Sequence, residues 1–152
     1  TGQEPYSIAI VCQEHGIECK IDAIDFSKRA INKALIGKYS YEAEISLMQR
    51  SGKYDSIKQL DFYKEYFEFY EETISVSDNI KSCVNFKVQD ITEIDSEGKY
   101  DFVFARKMLY YLPKTILPSV EKKLTQALKN NISIDNLIID GYSQRVLKEY
   151  FG

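Results

Sequence analysis

Between Ile17 and Gly37 the chain changes its hydrophobic period once. Ile17, Cys19, Ile21 and Ala23 alternate with Glu18, Lys20 and Asp22, the period-two pattern of a half-buried strand. Beyond it, Ala30, Ile31, Ala34 and Leu35 recur at helical spacing, with Ser27 as N-cap and Gly37 as C-terminal stop. The strand therefore ends on Asp25, just where the chain turns into a helix. Two readings of Asp25 follow. An acid there starts a turn by bonding its own backbone. At the carboxyl end of a parallel strand an acid also grips the ribose hydroxyls of nucleotide-like cofactors, roughly 20 residues beyond a glycine loop. Gly2 lies 23 positions upstream of Asp25.

The opening string TGQEPYSIAIVCQEH places Thr1 and Glu4 at capping-box spacing and Pro5 in a first helical turn, with an apolar face of Ile8, Ala9, Val11 and Cys12. This is a glycine-bearing loop feeding a helix. Its backbone N–H groups and positive dipole end suit a carboxylate or phosphate, and plain capping is the other use of the same residues. In the middle, Ile45, Leu47 and Met48 predict a short helix, and Ile57, Leu60, Tyr63 and Phe67 a second one. The aromatics Tyr54, Phe62, Tyr63, Tyr66, Phe67, Phe69 and Tyr70 crowd there without interleaved arginines, which reads as packing rather than a base-stacking surface. Thr73 to Val76 reads as a short strand, followed by a helical turn capped by Ser77 or Asp78.

From Val84 onward strands and helix alternate. Val84, Phe86 and Val88 form one strand; Phe102 to Phe104 and Leu137 to Ile139 are compact runs expected to be buried. Ile116, Val120, Leu124 and Leu128 step by four along a helix crossing between the last two. Right-handed crossovers would set all strand carboxyl ends on one side, bringing Asp25, Asp90 and Arg106 together.

Composition narrows the function classes. At 152 residues the chain fits one domain, and 44% hydrophobic with 28% charged residues suits a water-soluble globule. No apolar run approaches the roughly 20 residues that span a bilayer. A net charge of −3 argues against a broad nucleic-acid surface. Cys12, Cys19 and Cys83 are odd in number and lack metal-ligand spacing, so reduced, buried thiols in a cytosolic protein are expected. The single histidine, His15, supports neither a zinc site nor a histidine triad and reads as a helix-end residue. Thr1 falls inside what reads as a working loop, so further sequence is expected upstream.

The strings themselves add a resemblance. TGQEPYSIAI resembles the TGEEPYSIA segment of the chemotaxis receptor methyltransferases, the CheR family. IDAIDFSKRAINKALIGKYS resembles that family's strand, ribose-binding acid, helix and G-x-Y turn, here Gly37 to Tyr39, and Tyr66-Phe67 matches its tyrosine-phenylalanine pair. VNFKVQDI, from Val84 to Ile91, is similar to its adenine-side strand and turn, which usually ends asparagine-leucine. YDFVFARKMLYYL, from Tyr100 to Leu112, is similar to the segment usually read FDxIFCRNVxIYF.

The resemblance implies an α/β fold, a Rossmann-like class I methyltransferase sheet with flanking helices, truncated at both ends. Residues 1–152 would be one S-adenosylmethionine-dependent methyltransferase domain, with 41–83 a reduced or helical insert in place of the family's small antiparallel subdomain. It implies methyl transfer from S-adenosylmethionine to glutamate side chains in the cytoplasmic domain of chemoreceptors, yielding S-adenosylhomocysteine and tuning chemotaxis. The protein would be cytoplasmic, with no metal, no nucleic acid and no direct membrane insertion. Gly2 and Glu4 would hold the cofactor near its amino-acid end, Asp25 its ribose hydroxyls, with Phe26 beside the adenine. Asp90 and Ile91 would contact the adenine, and Arg106 and Tyr111 would orient the reacting groups. Lys107 would line the cofactor where the family has asparagine; lysine only donates hydrogen bonds and adds a charge near a sulfonium.

A glutamate side chain, with an unperturbed pKa of about 4.3, is ionised at neutral pH, so this chemistry needs no general base. Each residue keeps a structural alternative: Glu4 as a cap, Asp90 as a loop acid, Arg106 paired with Asp101 or another acid, and Tyr111 packed with Tyr110 facing outward. Two other functions also stay open. One is a methyltransferase with a different acceptor. The other is a noncatalytic binding module, raised by Gln3, Asp90, Ala105 and Lys107 where the family pattern differs.

Overall fold

A computed structural model of the chain describes residues 1–40 and 63–139, apart from the side chains of Tyr63 and Lys64. They fall into two compact units that divide after Gln89. In the first, helix α1 runs Gln3–Glu14 with Gly2 at its N-cap in a left-handed conformation and no side-chain cap. The Thr1–Glu4 capping box does not form; the Thr1 hydroxyl bonds Gln3 Oε1 at 2.5 Å. The buried stripe is Tyr6, Ala9 and Ile10 rather than Ile8, Ala9, Val11 and Cys12. Tyr6 sets that rotation, because its hydroxyl donates to the Ala34 carbonyl at 2.7 Å and its ring meets Phe86 edge-on. His15 is the C-cap, as expected of a helix-end residue.

The first strand, β1, is Ile21–Asp25 and starts later than the alternation from Ile17 suggested. Helix termination uses up that stretch: Gly16 takes a positive φ and the Ile17 N–H returns to the Cys12 carbonyl at 2.8 Å, closing a Schellman-type stop. Helix α2, Lys28–Ile36, has the predicted caps, with the Ser27 side chain accepting from Ala30 N and Gly37 left-handed at its end. A three-stranded antiparallel sheet follows, built from β2 (Lys38–Ser40), β3 (Phe67–Tyr70) and β4 (Thr73–Val76), with β4 central. The predicted strand at Thr73 to Val76 is therefore present. Phe67, placed by its spacing in a helix, begins β3 just after the one-turn helix α3, Tyr63–Tyr66. The β3–β4 hairpin turns without glycine because Glu71 itself adopts φ +39. The helices predicted from Ile45 to Leu60 lie outside the described residues, as does most of the expected 41–83 insert.

Helix α4, Asp78–Ser82, has Ser77 at its N-cap position without a side-chain cap, and leads into β5, Val84–Val88. β5 pairs parallel with β1, Ile21 opposite Val84 and Asp25 opposite Val88. Tyr6, Ala9, Tyr39, Val76 and Ile80 form the core beneath. A side chain as fully buried as Ile80 contributes about 1.5–3 kcal/mol.

In the second unit, β6 (Val103–Phe104) pairs parallel with β7 (Leu137–Ile138) across helix α5, Leu117–Ala127. Val120, Leu124 and Leu128 are buried at the predicted four-residue step. The carbonyls of Gln126 and Ala127, which the helix cannot satisfy, accept from the N–H groups of Gly98, Lys99 and Tyr100. Phe102 and Phe104 are not buried as predicted: they are 56% and 42% exposed and stack on each other while Val103 between them packs inward. The described residues are thus mixed α/β, with two short parallel pairs and one antiparallel sheet among them. Cys12, Cys19 and Cys83 are free and only partly buried, where the sequence reading expected buried ones.

Glu121 on α5 is 2% exposed, and burial pushes its carboxyl above the usual range. A group whose folded pKa is raised favours folding below its unfolded pKa, about 4.3, and loses that contribution as pH rises through the folded value. Glu121→Gln keeps the shape and removes the charge, so we expect stability at pH 7 to rise by roughly 1 kcal/mol. The gain should fade below about pH 4. Urea unfolding at both pH values checks this, and a variant no more stable than the parent at pH 7 would refute it.

Candidate functional site

The loop before α1 is held in place by glycine. Gly2 has φ +96, and a Cβ there would stand 2.7 Å from the Tyr39 hydroxyl and 2.9 Å from Ala34 Cβ. Only a residue without a side chain fits that conformation and that contact. The Tyr39 hydroxyl donates to the Thr1 carbonyl at 2.9 Å, pinning the loop from β2. Tyr39 and Tyr6 are thus positioning residues that the sequence reading missed as such. The signal was present in the G-x-Y string, but their partners lie far away in sequence. Glu4 sits exposed in the first turn of α1, where a negative charge is favourable to the helix dipole.

Asp25 closes β1. Its backbone carbonyl accepts from Gln89 N at 3.0 Å, extending the ladder with β5. Its carboxylate Oδ1 accepts from Ser27 N at 2.8 Å, so the turn-starting role is real. Among the described residues Oδ2 has no partner. One oxygen therefore fixes the carboxylate's orientation while the other remains an acceptor at the carboxyl end of a parallel pair. Phe26 beside it is 81% exposed.

In the second unit, Asp90 caps the 3-10 turn Ile91–Glu93. Its Oδ1 accepts from Thr92 N at 2.8 Å and from the Thr92 hydroxyl at 2.7 Å. These two bonds, the backbone one first, hold its carboxyl below the usual carboxylate range, so it is anionic at neutral pH. Ile91 is partly buried against the second core. The Lys123 ammonium ties the same turn to α5 by donating to the Thr92 carbonyl at 2.6 Å.

Arg106 and Lys107 follow β6 and the buried Ala105, whose N–H reaches the Ile138 carbonyl at 3.0 Å. Both are exposed, and Lys107 has φ +58. Asparagine is enriched in that left-handed region, which gives a physical reason for the asparagine expected there. Asp101 is held by the Lys129 ammonium at 2.7 Å. Tyr111 ends the 3-10 turn Leu109–Tyr111, anchored by the buried Leu109. It is 80% exposed, edge-on to Tyr110 at 5.8 Å, so its hydroxyl is not packed in the core; Tyr110 is exposed too.

The first unit thus brings together the strand-end acid, its capped turn and an exposed aromatic, with the glycine loop fixed separately against α2 and β2. The second groups an anionic turn with a cationic and phenolic segment beyond β6. An open carboxylate oxygen accepts from a vicinal diol, and an exposed ring packs on a flat heterocycle. These features fit S-adenosylmethionine. Among the described residues no group of three or more His, Cys, Asp or Glu could hold a metal ion, and no helix is long and apolar enough to cross a membrane.

A family model described as the S-adenosylmethionine-binding domain of CheR methyltransferase matches residues 1–149. A probable biofilm formation methyltransferase, WspC, of Pseudomonas aeruginosa is 25% identical over the whole chain, which covers 34% of that protein. The chemotaxis protein methyltransferases of Vibrio parahaemolyticus and Vibrio cholerae are 24% and 26% identical over 95% of this chain and 50% of theirs. The chain therefore spans a third to a half of the length of these relatives.

Proposed function

The chain belongs to the CheR methyltransferase family, and from that membership we propose that it binds S-adenosylmethionine and serves methyl transfer to glutamate side chains in the cytoplasmic domain of chemoreceptors. The same reading gives it a class I, Rossmann-like fold, of which β1–β5 and β6–β7 are the described strands, and a cytoplasmic location. The observation that carries it is Asp25, oriented through Oδ1 by Ser27 and open at Oδ2 beside an exposed Phe26.

Bound S-adenosylmethionine supplies an electrophilic methyl on a sulfonium. In this reading Gly2 and Glu4 would hold the amino-acid end, Asp25 would accept from the ribose hydroxyls and Phe26 would lie beside the adenine, while in the second unit Asp90 and Ile91 are the residues proposed to contact adenine. Arg106 attracts and aligns the incoming carboxylate, and the Tyr111 hydroxyl orients the reacting groups. Lys107 lines the same region and sets how much positive charge the site carries. Because the acceptor glutamate is already ionised, these residues aim rather than move protons.

Tyr111→Phe tests that division of labour. One aimed hydrogen bond is worth about 1–3 kcal/mol at the transition state, so methylation should fall about 5- to 150-fold with cofactor affinity nearly unchanged. Single-turnover methylation of chemoreceptors by the full-length protein, from about pH 6 to 9.5, should plateau once carboxylates are ionised. A steep alkaline rise seen only in the parent would make Tyr111 a base; an unchanged rate in Tyr111→Phe would remove it from the site. Relatives are named for both chemotaxis and biofilm formation. The assay therefore includes other sensory receptors, and labelling of those alone would move the acceptor while keeping the chemistry.

A further inference from the structure

In the second unit a lysine reaches the turn that carries Asp90. Lys123 lies on α5 between the buried Val120 and Leu124 and is itself half-buried. Its ammonium donates to the Thr92 carbonyl at 2.6 Å and to the Ile94 carbonyl at 3.3 Å. Thr92 in turn donates its N–H and its hydroxyl to Asp90 Oδ1 at 2.8 and 2.7 Å. One residue thus links the lysine to the carboxylate. Ile91 and Ile94 seat the turn on the second core, but apolar contact has no direction. The charge-assisted tie from Lys123 does, and it comes from a helix held by its own buried face. Nothing local in the sequence marks it, because the two carbonyls belong to residues 31 and 29 positions away.

We propose that Lys123 is a positioning residue for adenine recognition: acting through Thr92, it aims the second carboxylate oxygen of Asp90 at the exocyclic amine of the cofactor's adenine. The inference rests on the S-adenosylmethionine reading above, in which Asp90 contacts the adenine, and adds to it the residue that sets the direction of that contact. Asp90 Oδ1 is taken by Thr92, and among the described residues Oδ2 has no partner. An ionised carboxylate only accepts hydrogen bonds, and the exocyclic amine is the donor that adenine offers. The asparagine usual in the family carries an amide that can donate or accept, so an aspartate in its place depends more on being aimed. Lys123 acts without touching the base. Removing its ammonium leaves the Asp90–Thr92 bonds in place and frees the turn to swing on its isoleucine contacts.

The test is calorimetric binding to the full-length protein of S-adenosylhomocysteine and of its 6-deamino analogue, in which hydrogen replaces the adenine amine. In the parent, loss of the amine should weaken binding about 5- to 20-fold, the scale of one charge-assisted hydrogen bond partly replaced by water. Lys123→Met keeps the apolar stem and removes the ammonium. It should bind S-adenosylhomocysteine about 5- to 20-fold more weakly than the parent while binding the deamino analogue as the parent does. General loosening of the second unit would instead weaken both ligands alike, and that result would overturn the proposal, as would Lys123→Met binding both like the parent. Lys123→Gln, which also lacks the ammonium, carries the same comparison if urea unfolding shows Lys123→Met to be unfolded. A parent indifferent to the amine would overturn the proposal and leave the cofactor reading in place; a parent that binds neither ligand would sink that reading and this proposal with it.

Discussion

Gly2→Ala is expected to lower the unfolding free energy by about 2–5 kcal/mol, from roughly 1–2 for a left-handed backbone and 1–3 for overpacking. The contact is specific, since the added Cβ would meet the Tyr39 hydroxyl at 2.7 Å and Ala34 Cβ at 2.9 Å. Relief would move Tyr39 off the Thr1 carbonyl or α1 away from α2, so the loop geometry is lost whichever yields. Gly16 is the internal control. It shares a positive φ, +65, yet a Cβ there meets nothing within 4 Å. Gly16→Ala should therefore show only the conformational part, about 1–2 kcal/mol. Urea unfolding of the parent and both variants separates the two costs. Equal losses would mean that Gly2 is not packed against Tyr39 and Ala34.

What could be read in the sequence was local. The Asp25–Ser27–Gly37 segment was legible because a change of period, a side-chain cap and a left-handed glycine each act within a few residues. The step of four along α5 and the strand at Val84 to Val88 were legible for the same reason. Misreadings arose where tertiary contacts or backbone exceptions decide. Tyr6 rotates α1 by bonding Ala34, 28 positions away. The helix stop at Gly16 and Ile17 removes the start of an alternating stretch from the strand. Glu71 makes a hairpin turn at φ +39 where glycine is the usual signal, which concealed β3 within an apparently helical aromatic run. At the candidate site, residue types were legible and their couplings were not. Asp25 reads as either a turn acid or a ligand acid, and in the structure one carboxylate serves the first role through Oδ1 while keeping Oδ2 for the second.

That division of the Asp25 carboxylate yields the sharpest binding test. Asp25→Ala should weaken S-adenosylmethionine binding by about 2–4 kcal/mol, from two charge-assisted hydrogen bonds with some replacement by water. Alanine also deletes the acceptor for Ser27 N, however, so its loss mixes ligand grip with turn stability. Asp25→Asn separates them. The asparagine carbonyl can still accept from Ser27 N at the Oδ1 position, while its amide group at the Oδ2 position donates where an acceptor is needed. If Asp25 only starts the turn, Asp25→Asn should bind like the parent and unfold at nearly the same urea concentration. If it grips the ribose, Asp25→Asn should lose at least about tenfold in affinity, the scale of one charge-assisted bond, with folding intact. Isothermal calorimetry on the full-length parent, Asp25→Asn and Asp25→Ala, each with its unfolding curve, distinguishes the cases. Equal dissociation constants for parent and Asp25→Asn would leave Asp25 with its turn alone and take it out of the cofactor site.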